Sequence, residues 1–269
     1  MRGFAFANET ALRPSLLPYP LLPPAGILES SPGPREIAMS TAEHPRRTAS
    51  PRLVAGQRLD QPMFHELYDA MPPGIRAELI NGVVSMPSPV GNRHSRANPF
   101  PLFWLLYYEE KTPGVELFND ATTLLGPRSE LQPDALLRIL PECGGQTVAD
   151  PQYVRGVPEL VLEVSHSSRY TDLGPKLEDY ERAGVLEYVV RALEPDEVLW
   201  HVLQEGRLVA VPPDADGLYR SRVFPGLWLD PKALLADDTR RLRAVIDQGV
   251  ATPEHAAFVA RLAAARGTA

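Results

Sequence analysis

Two carboxylates and one lysine occupy positions where such groups are costly unless something engages them. Glu163 interrupts the apolar run Leu160, Val161, Leu162 and Val164 within PELVLEVSHSS, Pro158 to Ser168. A carboxylate among apolar side chains needs a counter-charge, a bound cation or a proton. Asp134 follows Pro133 at the head of a second apolar run, DALLRIL. Acids at the ends of neighbouring strands form the oxygen-rich arrangement that a hard cation such as Mg2+ or Mn2+ uses, with water and phosphate completing its shell. Lys176 belongs to the series Leu173, Lys176, Leu177 and Tyr180, spaced i, i+3, i+4 and i+7, which puts it on the apolar stripe of a helix. An inward lysine needs a carboxylate partner. Its ammonium can orient an attacking water or offset negative charge developing on a phosphate.

Positioning these groups requires strands and a helix in fixed register. Along a strand, alternate residues share a face, so Glu159, Val161, Glu163 and Ser165 point one way and Leu160, Leu162 and Val164 the other. TDLGPKLEDYERAG predicts the helix that follows, capped by Thr171 or Asp172 and closed by Gly184. Upstream, Met63, Phe64, Leu67, Tyr68 and Met71 recur at helical spacing before the stop PPG. AELINGVVSMP carries Asn81-Gly82 between apolar flanks, a strong hairpin signal that puts Glu78 on the first strand. Pro101 suits the first position of a bulky helix ending near Pro113 and Gly114. VELFNDATTLLG and LQPDALLRIL predict strands separated by the turn GPRSE. Further strands are expected in LEYVVRAL, EVLWHVLQEGRLVAV and GLYRSRVFPGLWLD, with a hairpin at Glu205-Gly206. The simplest division is a single α/β core with a tail at each end: a disordered Pro-rich leader over 1–50, a core domain over 51–236 and an Ala-rich helical tail over 237–269.

Composition narrows the class. With 269 residues, 44% hydrophobic and 23% charged, the chain can bury a sizeable core as an ordinary soluble protein. No apolar run approaches the roughly 18 residues needed to span a bilayer, and the Pro-broken start lacks a secretory pattern, so a cytoplasmic protein is expected. Met39, in REIAMSTAEHPRR, offers an alternative translation start. The single cysteine, Cys143, excludes an internal disulfide and a Cys-based zinc site. A net charge of −7 argues against a broad electrostatic grip on nucleic acid, although local basic stretches such as HPRRTASPR and RSRVF remain.

The pieces RAELINGVV, GNRHSR, LQPDALL, PELVLEVSHSS, DLGPKLEDYERAGVLEYVV and FPGLWLD resemble, in order and spacing, the Uma-two family of restriction-endonuclease-like proteins, a branch of the PD-(D/E)xK nuclease superfamily. The likeness runs from about Leu59 to Leu235. It implies a mixed sheet flanked by helices, DNA as substrate, and Mg2+ or Mn2+ held by acids while water attacks a phosphodiester. By position, Asp134 matches the acid of the PD element, Glu163 the acid of the ExK element, and Glu78 an additional N-terminal acid. These three are the implied metal ligands. The lysine usual two residues after that glutamate is replaced by Ser165, and Lys176 matches the helix lysine that takes the role. His94, Ser165 and Tyr180 are accessory candidates, and a homodimer is implied. The sequence departs from the family pattern at Pro99 and Pro101, which interrupt the helix after His94, and at Val189, where an aromatic is usual.

The residues alone admit plainer readings. Glu163 could sit in a structural ion pair with Lys176 or an arginine; Asp134 could be a strand-start turn residue; Lys176 could pair with Asp172 or pack under Tyr180. Glu78 could be an edge-strand charge. His65, His166 and His201 read as surface or strand positions, and FWLLYYEE as core or a dimer face rather than a base-stacking surface. Two functions are therefore carried forward: a metal-dependent DNA endonuclease, and a catalytically silent nuclease-fold protein that binds nucleic acid or a protein partner. They differ in geometry. The first requires Asp134, Glu163 and Lys176 to converge, whereas a solvent-facing Lys176 favours the second.

Overall fold

The computed structural model describes residues 52–267. The expected leader over 1–50 and the alternative start at Met39 lie outside these residues. The amino-terminal part builds a small sheet. Helix α1 (Gln61–Asp69) is capped by Asp60, whose carboxylate accepts the Met63 N–H at 3.0 Å, and its Phe64 is fully buried beside Leu79 and Val84. Strands β1 (Glu78–Ile80) and β2 (Val83–Ser85) form the hairpin expected at Asn81-Gly82. Both turn residues have left-handed backbones, φ 49° and 76°, which Asn and Gly adopt most readily.

Helices α2 (Asn92–Ala97) and α3 (Pro99–Lys111) follow. The expected helix thus begins at Pro99 rather than at Pro101, and Asn98 between the two helices keeps a helical backbone. Strands β3 (Val115–Asn119), β4 (Thr123–Gly126), β5 (Ser129–Leu131), β6 (Ala135–Ile139), β7 (Thr147–Val148) and β8 (Val154–Gly156) lead to β9 (Leu160–Ser165). After β9 come α4 (Arg169–Thr171), α5 (Leu177–Ala183), β10 (Glu187–Leu193), β11 (Asp196–Gln204), β12 (Arg207–Val211), β13 (Tyr219–Arg220) and β14 (Trp228–Leu229). The chain closes with α6 (Pro231–Leu235), α7 (Thr239–Val250) and α8 (Pro253–Arg266).

One sheet has the order β12-β11-β10-β9-β6-β3 and another the order β2-β1-β5-β4-β8-β7. The first is mixed: β9 and β10 are parallel and its other pairings antiparallel. Helices flank it, so the fold is the expected α/β class with a mixed sheet. Alternation along β9 explains how it is buried on both faces. Leu160, Leu162 and Val164 pack with Trp104, Leu105 and Tyr108 of α3 and with Leu242, Ile246 and Phe258 of α7 and α8. Val161 packs on the other face with Leu136, Tyr180, Tyr188 and Val190. Each such side chain contributes about 1.5–3 kcal/mol through apolar burial, so β9 is anchored from both sides. The segment expected as a helical tail is helical, and Leu242, Val245, Ile246, Phe258 and Leu262 on it are buried. Because β1 lies between β2 and β5, Glu78 is not an edge-strand charge.

The helix after β9 differs from the expected one. It starts at Arg169, Thr171 and Asp172 have helical backbones without capping bonds, and Asp172–Lys176 forms a π turn containing Pro175. Proline has no N–H to give to the regular helical ladder, and a π turn inserts an extra residue that reorients its neighbours. Asp172 is consequently turned inward with Lys176, and both are buried. Gly184 closes α5 in the left-handed conformation, φ 94°, as expected. Among the described residues, no helix is long and apolar enough to cross a membrane.

Candidate active site

The antiparallel pairing of β6 with β9 matches Ala135 to Leu162, so Asp134, one residue earlier, comes to the level of Glu163. The contact is direct at the backbone: Asp134 Oδ2 accepts the Val164 N–H at 2.7 Å. The same oxygen lies 3.2 Å from His94 Nε2 on α2. Beside them, Lys176 Nζ is 3.0 Å from Glu163 Oε1 and 3.0 Å from Glu78 Oε1. Tyr180, one turn along α5, donates its hydroxyl to Glu163 Oε1 at 2.9 Å, and the Gln132 N–H holds Glu78 Oε1 at 2.8 Å. Lys176 is only 6% exposed and Glu163 4%.

A cavity of about 300 Å³ brings these groups together, and Glu78, Asp134, Glu163, Asp172, His94 and Lys176 all line it. Four acids therefore share a wall with few cations. Burial raises the Glu163 pKa well above the carboxylate range; Lys176 opposes this, while Asp172, Asp134 and Glu78 add to it. Burial likewise raises Asp172, against Lys176 and the 2.6 Å hydrogen bond from Ser168 Oγ. For Lys176, burial works against the charge, but Glu163, Glu78 and Asp172 outweigh it, so the pKa is raised and the ammonium persists at neutral pH. The hydrogen bond to Asp134 raises the His94 pKa despite opposition from burial.

Among the residues expected from the sequence, Glu78, Asp134, Glu163, Lys176 and His94 share this cavity. Tyr180 stands behind Glu163 in the core. Ser165 is buried with its Oγ near Asp172 yet outside good hydrogen-bond geometry. His166 lines the same cavity, whereas His65 on α1 sits against Glu130 of β5 and His201 is buried in β11. The sequence reading missed Asp172 and Arg76 as cavity residues. A signal existed for each: Asp172 lies four residues before Lys176 on one helix, and Arg76 two residues before Glu78 in extended chain.

The donor chemistry suits a hard cation. Asp134 Oδ1, Glu163 Oε2 and Glu78 Oε2 accept no hydrogen bond among the described residues, since the contacts above fall on the other oxygen of each acid. The set is not gathered around a point, however: among the described residues, no three His, Cys, Asp or Glu side chains lie together as metal ligands do. Lys176 instead bridges two of the acids.

Comparison with known proteins adds a family. The family model named Uma2, described as "Putative restriction endonuclease", matches residues 62–232. A solved structure from Anabaena variabilis, described as "a putative nuclease belonging to DUF820", is similar at 13% identity, with 67% of this chain and 97% of that chain covered and a TM-score of 0.45. No curated protein matches the chain.

Proposed function

The chain belongs to the Uma2 family of putative restriction endonucleases, and from that premise we propose that it is a metal-dependent endonuclease hydrolysing DNA phosphodiester bonds. The observation that carries this reading is the buried Lys176 ammonium between Glu78 and Glu163, on the wall of a cavity that also holds Asp134 and Asp172. A structural ion pair needs one acid per lysine, and the surplus of carboxylates suits added positive charge.

Asp134 and Glu163, with Glu78, would hold Mg2+ or Mn2+. Such an ion, when bound, supplies Lewis acidity, neutralising phosphate oxygens and lowering the pKa of water. Lys176 supplies the charge that the ExK pattern draws from the position of Ser165. It orients Glu163 and Glu78 through the two 3.0 Å contacts and can stabilise negative charge growing on the phosphate. The Val164 N–H and His94 fix the Asp134 carboxylate, and Tyr180 fixes Glu163 from the core side. Pairing of two copies belongs to the same proposal.

Nicking of supercoiled plasmid in Mg2+ or Mn2+ tests the reading. Wild-type protein is expected to nick, and Glu163→Ala to lose about 100-fold or more, the scale of removing a charge-stabilising group. Equal activity in both proteins sinks the assignment. The second reading, a silent nuclease fold that binds nucleic acid, has in its favour the absence of a gathered ligand triplet among the described residues. It predicts a gel shift of DNA by wild-type protein with no nicking in either metal.

A further inference from the structure

We propose that Arg76 is a substrate-binding residue whose guanidinium takes a non-bridging oxygen of the phosphodiester entering the cavity, an assignment that rests on the nuclease reading above. The wall carries Glu78, Asp134, Glu163 and Asp172, and a phosphodiester brought there meets repulsion that a side-chain cation with free donors helps to offset locally. Lys176 and Arg76 are the two full cations of the wall. Lys176 is committed to Glu78 and Glu163, at 3.0 Å each, and buried.

Arg76 is placed differently. Its side chain is 39% exposed and lines the cavity, and Nη2 donates to Asp120 Oδ1 at 2.8 Å. Nη1 and Nε make no hydrogen bond among the described residues. A guanidinium held through one N–H of Nη2 keeps the second N–H of Nη2 together with the donors on Nη1 and Nε, and a pair of adjacent N–H groups among these suits a phosphate. The anchor is itself fastened to the site. Asp120 has a left-handed backbone, φ 52°, uncommon for a residue other than glycine, and its N–H approaches the Asp134 carbonyl at 3.4 Å. Asp120 thus positions Arg76 relative to the strand entry that bears Asp134. The simpler role for Arg76 is to neutralise Glu78 and Asp134, and that role predicts different measurements.

Kinetics on DNA oligonucleotides with Mg2+ or Mn2+, together with binding by fluorescence anisotropy across a salt series, separate the two roles. Arg76→Ala is expected to raise KM about tenfold, a larger change than in kcat. It should also lower the slope of log affinity against log salt by about one, as loss of one phosphate contact does. Arg76→Lys should recover part of the KM loss, and Asp120→Ala should raise KM less than Arg76→Ala. Thermal unfolding of each variant verifies that it is folded. Wild-type cleavage with unchanged KM and salt slope in Arg76→Ala overturns the Arg76 assignment and leaves the nuclease reading intact. Wild-type protein that neither binds nor cleaves DNA overturns both.

Discussion

The residue just before β9 and the fourth residue within it are both glutamates, in different circumstances. Glu159 and Glu163 stand on one face, four residues apart, and both are buried with pKa raised by that burial. At Glu159 both oxygens are occupied by backbone donors, with Ile139 N–H on Oε2 and Gln146 N–H on Oε1, each at 2.8 Å. Its carboxylate staples the loop after β6 to the strand. At Glu163, Oε1 takes both Lys176 and Tyr180, Oε2 takes nothing among the described residues, and three further acids surround it. Burial and a shifted pKa are therefore shared by a staple and a site. What separates them is unspent acceptor capacity beside a cavity with surplus negative charge.

Lys176→Met removes that asymmetry most strongly and carries the largest expected effect. Glu78 and Glu163 would lose their shared counter-charge, which costs about 3–5 kcal/mol when one partner of a buried pair is removed. Cleavage would fall with it. The stability loss should be greatest at neutral pH and shrink on acidification. Without the lysine, no neighbouring ammonium opposes the rise that burial imposes on the Glu163 pKa, so stability is retained at low pH and falls as pH rises above the ordinary carboxylate range. Denaturant melts at pH 5 and pH 8 measure this difference; equal losses at both would show that the pair is not charge-coupled.

Just before β9, Glu159→Ala should cost about 2–5 kcal/mol, because two backbone N–H groups lose their acceptor. The folded fraction should keep its nuclease activity. Loss of activity per folded molecule would erase the distinction between the two glutamates.

The smallest effect is expected at a third buried acid, Glu187 on β10, which is satisfied as Glu159 is: Ser221 Oγ donates to Oε2 at 2.6 Å and the Arg222 N–H to Oε1 at 2.7 Å. Burial pushes its pKa from 4.5 up to about 7. Between those values the folded protein binds more protons than the unfolded chain, so this group's contribution is full below pH 4.5 and lost by about pH 7. Glu187→Gln has no proton to lose, and the fall in stability between pH 5 and pH 7.5 should be shallower than in wild type. An unchanged slope would contradict the assignment.

The contrast was only half legible in the sequence. Period-2 alternation along Leu160–Ser165 put Glu163 on one face with Val161 and Leu160, Leu162 and Val164 on the other, and the core follows that division. Asn81-Gly82 likewise specified the hairpin that bears Glu78. These signals are local, set by backbone geometry within a few residues. Glu159 shares the face of Glu163, and nothing near it reveals that Ile139 and Gln146 will supply donors from another segment. Asp172 resembled a cap because caps favour Asp, yet the π turn around Pro175 turned it inward. Arg76 and Asp120 meet across 44 residues, with no periodicity linking them. The carboxy-terminal helices were visible as an Ala-rich pattern, but a helical stripe does not say which surface covers it.

The most direct test compares Glu163→Gln and Glu159→Gln, two isosteric changes four residues apart, for initial rates of plasmid nicking in Mg2+ and Mn2+ at equal folded concentration. Glu163→Gln is expected to lose about 100-fold or more while Glu159→Gln stays within a few-fold of wild type. Equal rates in the two variants, whether both active or both dead, would contradict that expectation.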